Sequence, residues 1–132
     1  MPVGTRREAR ERALGLLYEA DAKGVTPAGV LAELPVEPDP FVVDVLRGVD
    51  ARTADIDRLI AEHSIDWTLD RMPVVDRTLL RMATYELLCR PDIPTGVVIS
   101  EAVELAKQYS TDESGRFVNG VLASIAATTR PA

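Results

Sequence analysis

Apolar residues recur at helical intervals along nearly the whole chain, and the longest such run lies near its centre. In residues 73–90, PVVDRTLLRMATYELLCR, the positions Val75, Leu79, Met82, Ala83 and Leu87 step by four, three, one and four. That spacing puts them on one stripe of an α-helix. Val74, Leu80, Leu88 and Cys89 widen the stripe beyond a single face, as a helix with neighbours on several sides requires. The pattern therefore predicts the central helix of an all-helical domain. Asp76, Arg77, Arg81, Glu86 and Arg90 lie between the apolar positions and form a mixed-charge seam, either a solvated face or a docking surface.

The flanking segments repeat the pattern. Thr5 can cap a helix whose core face is Ala9, Ala13, Leu16, Leu17 and Ala20, and Gly24 suits the left-handed position that closes it. Residues 24–40 hold Pro27, Pro35, Pro38 and Pro40, which leaves room for one short helix near 28–34. Asp39 then precedes Pro40 as an N-cap, and Val42, Val45, Val49, Ile56, Leu59, Ile60 and His63 continue one stripe. A second long helix over 40–62 is expected, with His63 capping its C-terminus. Residues 65–72 allow a turn or two, anchored by Trp67 and Leu69. Beyond Pro91 and Pro94, the set Val98, Ala102, Leu105, Ala106 and Tyr109 predicts another helix, with Glu101, Glu104 and Lys107 on its polar side. Ser110 and Glu113 have capping-box spacing before a last helix carrying Phe117, Val118, Val121, Leu122 and Ile125. Asn119 and Gly120 interrupt it. A mid-helix glycine costs about 1 kcal/mol relative to alanine, so close packing, or a ligand backbone lying against it, is the expected compensation.

Composition narrows the class. A chain of 132 residues fits one domain, and it can bury roughly two thirds of its unfolded surface without disulfides or metals. Its single cysteine, Cys89, forms no internal bridge, and no charged-then-apolar leader opens the chain, so a cytoplasmic setting is expected. No run approaches the eighteen apolar residues of a membrane span. The net charge of −6 excludes a uniformly basic nucleic-acid-binding surface, but its distribution is uneven. Arg6, Arg7, Arg10 and Arg12 against Glu8 and Glu11 give the first twelve residues +2, leaving about −8 on the rest. Cations at a helix start oppose the dipole, which favours a polyanion-binding role over a merely solvated turn. No Cys-x-x-Cys, paired histidines, glycine-rich phosphate loop or Ser/His/Asp set is present, so neither an enzyme nor a metal or cofactor is expected.

Three blocks together resemble the NusB family of bacterial transcription antitermination factors: RREARERALGLLYEAD, MPVVDRTLLRMATYELL and IPTGVVISEAVELAKQYSTDESGRFVNGVL. The likeness spans nearly the whole chain, and its last block is the most specific. It implies an all-α fold of about seven helices in two helical subdomains, about 1–64 and 65–132. It also implies binding of the boxA element of ribosomal RNA leader transcripts together with NusE, a ribosomal protein, in a complex with other Nus factors and RNA polymerase. Carried over by residue, Arg6, Arg7 and Arg10 become phosphate contacts, and Lys107, Glu113, Arg116 and Phe117 belong to the RNA face. Phe117 either stacks on a base or fills the core. Asp76, Arg81 and Glu86 then face NusE, whose basic character suits an acidic body. The rival class is a self-associating helical protein-interaction module without direct RNA binding, in which the central seam packs against a second copy as a homodimer.

Overall fold

The computed structural model describes residues 5–65 and 67–131, and every regular element among them is helical. The order is α1 (Arg6–Lys23), α2 (Pro27–Glu33), α3 (Pro40–Ala51), α4 (Thr53–His63), α5 (Val74–Cys89), α6 (Thr95–Tyr109) and α7 (Asp112–Thr129). A 3-10 turn at Leu69–Arg71 separates α4 from α5. The all-α, seven-helix architecture is thus the one expected.

Local chemistry sets most of the boundaries. The Thr5 hydroxyl accepts from the Glu8 N–H at 3.0 Å while the Glu8 carboxylate accepts from the Thr5 N–H at 2.9 Å, a reciprocal cap on α1. Gly24 ends that helix at φ 67°, and its N–H donates to the Asp21 carbonyl at 3.2 Å. Thr26 and Pro27 start α2, and Asp39 and Pro40 start α3, each by a side-chain cap ahead of a first-turn proline. At α7 the expected cap is displaced by one residue. Thr111, not Ser110, accepts from the Ser114 N–H, and the Ser110 hydroxyl instead pairs with that of Ser114.

The helix expected over 40–62 is two helices. Arg52 leaves helical geometry at φ −118°, ψ 20°, and the Thr53 hydroxyl donates to the Val49 carbonyl at 2.7 Å. A side chain competing for a helical acceptor bends the helix there. The bend turns α4 against α5 and α7, where Ile56 and Ile60 are fully buried. His63 does not cap: its Nδ1 lies 2.6 Å from the Ser124 hydroxyl on α7. Trp67 is not an internal anchor either, being 47% exposed.

Helix α5 packs against α1, α3, α4, α6 and α7, and Leu79, Leu80, Met82, Ala83 and Leu87 are buried along it. Its C-terminal end is fixed from afar. The Arg130 guanidinium donates to the carbonyls of Glu86, Leu87, Arg90 and Ile93, closing the C-terminal end of α5 with a group from beyond α7. Glycine matters at a position its sequence context does not mark. A Cβ on Gly48 would overlap the Tyr85 ring, which packs on α3 at this point and donates its hydroxyl to Asp44 at 2.7 Å. Gly120 has no atom within 4 Å of where its Cβ would be, and Asn119 is exposed, so the expected packing role of this pair is overturned.

Candidate functional site

The charged seam of α5 is consumed inside the molecule. Arg77 pairs with Asp21 of α1 at 3.0 Å, Arg81 with Asp57 of α4 at 2.8 Å, and Arg90 with Asp44 of α3 at 3.0 Å and with Asp92. Glu86 is 2% exposed and receives Arg10 in a bidentate pair at 3.1 and 2.6 Å. Asp76 is 3% exposed. Of the expected partner contacts, then, Asp76 and Glu86 offer no carboxylate to a protein docking on the surface, and Arg81 has its own counter-ion. The helix lies in the middle of the fold, so its polar groups face other helices rather than solvent.

The N-terminal arginines divide in the same way. Arg10 is 3% exposed and held by Glu86, with Glu101 a further 3.7 Å away, so it is a structural cation and not a free phosphate contact. Arg7 stays half exposed while its guanidinium donates to both Glu101 oxygens, at 3.1 and 2.5 Å. That contact raises the Arg7 pKa and holds the Glu101 carboxyl below its ordinary range, with Arg10 adding to the effect. Glu101 looks like an ordinary solvated residue in sequence, but it joins α6 to α1. Tyr109 does the same from the other end of α6, donating to Glu11 at 2.5 Å. Arg6 is exposed and its guanidinium stacks 4.3 Å from the Phe41 ring centroid, with Arg10 and Arg90 each at 5.3 Å.

Helix α6 therefore bridges the start of α1 to the start of α7, where the Lys107 stem rests against Gly115 with 2.9 Å between its Cγ and an added Cβ. Among the described residues, Arg6, Arg12, Lys107 and Arg116 have no carboxylate within 4 Å and are exposed. Arg47, Arg52 and Arg71 are likewise exposed without such a partner among the described residues, so Arg6, Arg12, Lys107 and Arg116 are the available cations of α1, α6 and α7 and not of the whole surface. Phe117 is partly buried against the core while its ring meets Trp67 at 6.3 Å between centroids and 56° between planes. Both the core and the stacking roles of Phe117 are thus compatible with its position. The pair was hidden from the sequence because Trp67 reaches α7 from a turn fifty residues earlier.

Trp67, Pro73, Asp76, Thr111, Glu113, Ser114 and Phe117 line a pocket of about 230 Å³ between α5 and α7. The fold thereby brings Asp76 together with Glu113 and Phe117, which the sequence assigns to separate surfaces. Among the described residues no group of three His, Cys, Asp or Glu is placed to hold a metal, and no helix is long and apolar enough to cross a membrane. Cationic surface, an aromatic pair and an acceptor-lined pocket suit recognition of a polyanion carrying flat groups.

Comparison with known proteins gives the same direction. A family model described as the NusB family matches residues 7–127. The transcription antitermination protein NusB of Kineococcus radiotolerans is 48% identical over 128 residues, 94% of each chain. That of Salinispora tropica is 52% identical over 128 residues, covering 92% of this chain and 94% of its own. The structure of Thermotoga maritima NusB superposes with a TM-score of 0.84 at 38% identity, covering 95% of this chain and 92% of its own. A crystal structure of antitermination factors NusB and NusE in complex with double-stranded RNA gives 0.79 at 28% identity, covering 93% of this chain and 96% of its own.

Proposed function

The chain belongs to the NusB family, and from that premise we propose that it acts in transcription antitermination by binding RNA jointly with the ribosomal protein NusE. The observation that carries the reading is the likeness, over almost the full length of both chains, to the NusB of a NusB–NusE–RNA complex. The RNA is the boxA element of ribosomal RNA leader transcripts, and the assembly it nucleates includes other Nus factors and RNA polymerase. The RNA lies across α1, α6 and α7. Arg6, Lys107 and Arg116 neutralise phosphates, Arg7 contributes from its pair with Glu101, and Phe117 offers a ring edge to a base. Arg10 contributes by seating α1, not by touching the ligand. NusE occupies part of the acidic remainder of the surface, away from the buried groups of α5, because a net charge of about −8 over residues 13–132 attracts a basic protein.

The test is RNA binding across a salt series with the wild type and the triple variant Arg6→Ala, Lys107→Ala, Arg116→Ala. Three lost phosphate contacts on a single strand should flatten the slope of log K against log salt by about 2. An unchanged slope with unchanged affinity would take the RNA off this surface.

A further inference from the structure

Where α1 and α3 begin, three guanidinium groups meet on one aromatic ring. Phe41 is 6% exposed, and the start of α3 fixes its place, its N–H donating to the Asp39 carboxylate at 2.8 Å. Arg6 stacks 4.3 Å from the ring centroid, and Arg10 and Arg90 stand at 5.3 Å. Two of the three have their charge answered elsewhere, Arg10 by Glu86 and Arg90 by Asp44 and Asp92. Arg6 has no carboxylate within 4 Å among the described residues, so the ring is what holds it. Asp92 stands close enough to feel the charge of Arg6, but the Arg90 fork takes both its oxygens at 3.1 and 3.0 Å and is the main reason its carboxyl sits below the ordinary range. A cation in the first turn of α1 opposes the helix dipole, and the negative face of the ring offsets part of that cost.

We propose that Phe41 is a positioning residue for RNA: its ring orders the Arg6 guanidinium ahead of binding, so that a phosphate meets a cation already in place and still uncompensated. The inference rests on the RNA-binding function above and adds to it a residue that never touches the ligand. Arg6 and Arg7 differ in kind for this purpose. Arg7 spends its guanidinium donors on both oxygens of Glu101. Stacking instead engages the flat face of a guanidinium and leaves its in-plane N–H donors for a phosphate fork. It also restricts a long side chain before the ligand arrives, so less rotamer freedom is lost on binding. Core packing alone asks only for an apolar side chain at position 41, which leucine would satisfy. Holding a cation asks for a π-face, and among the described residues Phe41 is the one ring that carries one.

The experiment measures binding of the full chain to a short boxA-type RNA across a salt series, for the wild type, Arg6→Ala, Phe41→Leu and the double variant. Arg6→Ala should flatten the slope of log K against log salt by about 0.7, the share of one phosphate on a single strand. Phe41→Leu keeps that contact and loses only its ordering, so affinity should fall about threefold, the size of one exposed cation–π contact, with the slope of the wild type. In the Arg6→Ala background Phe41→Leu should cost nothing further. An equal loss in both backgrounds makes Phe41 a packing residue and overturns the proposal, with the RNA-binding function left standing. A second measurement needs no change at Phe41. The δ-methylene protons of Arg6 in the free protein, identified by their loss in Arg6→Ala, should resonate upfield under the ring current of Phe41. Random-coil positions for these protons overturn the proposal even if Phe41→Leu folds poorly. Absence of RNA binding by the wild type, with or without NusE, overturns both the proposal and the function it rests on.

Discussion

Two glycines and one ion pair show how far the role of a residue departs from its local context. Gly48 lies under the Tyr85 ring, whereas Gly120 faces open space on α7. Gly48→Ala must displace a ring that is also hydrogen-bonded to Asp44, and overpacking of this kind costs about 1–3 kcal/mol. Gly120→Ala meets nothing and removes backbone freedom from the unfolded chain, a gain of up to about 1 kcal/mol. Urea unfolding of both variants should therefore move the midpoint in opposite directions; a loss at Gly120 as large as that at Gly48 would contradict the geometry. The Arg10–Glu86 pair is read the same way. Breaking it with Arg10→Ala leaves a buried carboxylate unpaired at about 3–5 kcal/mol, while Arg10→Met with Glu86→Leu removes both charges and should recover most of that loss. If the double variant is as unstable as the single, packing rather than charge is what the pair supplies.

Elements built from local signals are legible in the chain, and those built from distant contacts are not. Thr5, Gly24, Asp39 and Pro40 act within a turn of themselves, and the spacing along α5 is carried by its own residues, so these boundaries appear where the sequence places them. The bend at Arg52 interrupts the helix for only one residue and leaves the apolar stripe in phase, which is why periodicity runs straight through it. The burial of Arg10 and Glu86 depends on partners 76 positions apart, and the Arg130 cap on α5 on partners about 40 apart. No spacing rule reaches that far, so the site residues expected on the surface of α5 are found inside. The seat of α1 on α6 depends on the Glu101 carboxylate, whose pKa is lowered by Arg7. A carboxyl lowered on folding contributes stability that is complete above about pH 4.3, its unfolded value, and is lost as the pH falls through the folded value. Glu101→Gln should accordingly destabilise the protein at about pH 7 and lose its effect in acid below the folded value. Equal destabilisation at both ends of the titration would mean that the charge of Glu101 is not what holds the helices together.

At the scale of the whole molecule, charge makes the proposed RNA binding a shared task. The first twelve residues carry a net +2, yet Glu101 and Glu86 answer two of their four arginines, and the rest of the chain stands at about −8. The unpaired cations of α1, α6 and α7 are few, and the acidic body repels the backbone over distances comparable to the Debye length of about 8 Å at physiological salt. The isolated chain should therefore bind boxA-type RNA weakly. A basic partner on the acidic surface reverses the local field and adds cations of its own, so NusE should raise RNA affinity by at least about tenfold, a coupling of roughly 1.4 kcal/mol. Linkage then fixes a second quantity without further assumption: RNA must tighten NusE binding by the same factor. Titrations of RNA with and without NusE, and of NusE with and without RNA, close this cycle. Because much of the coupling is electrostatic, it should shrink as salt is raised. Equal RNA affinities with and without the partner would mean that the two ligands occupy the chain independently, and that neutralising the acidic body is not how this protein gains its hold on RNA.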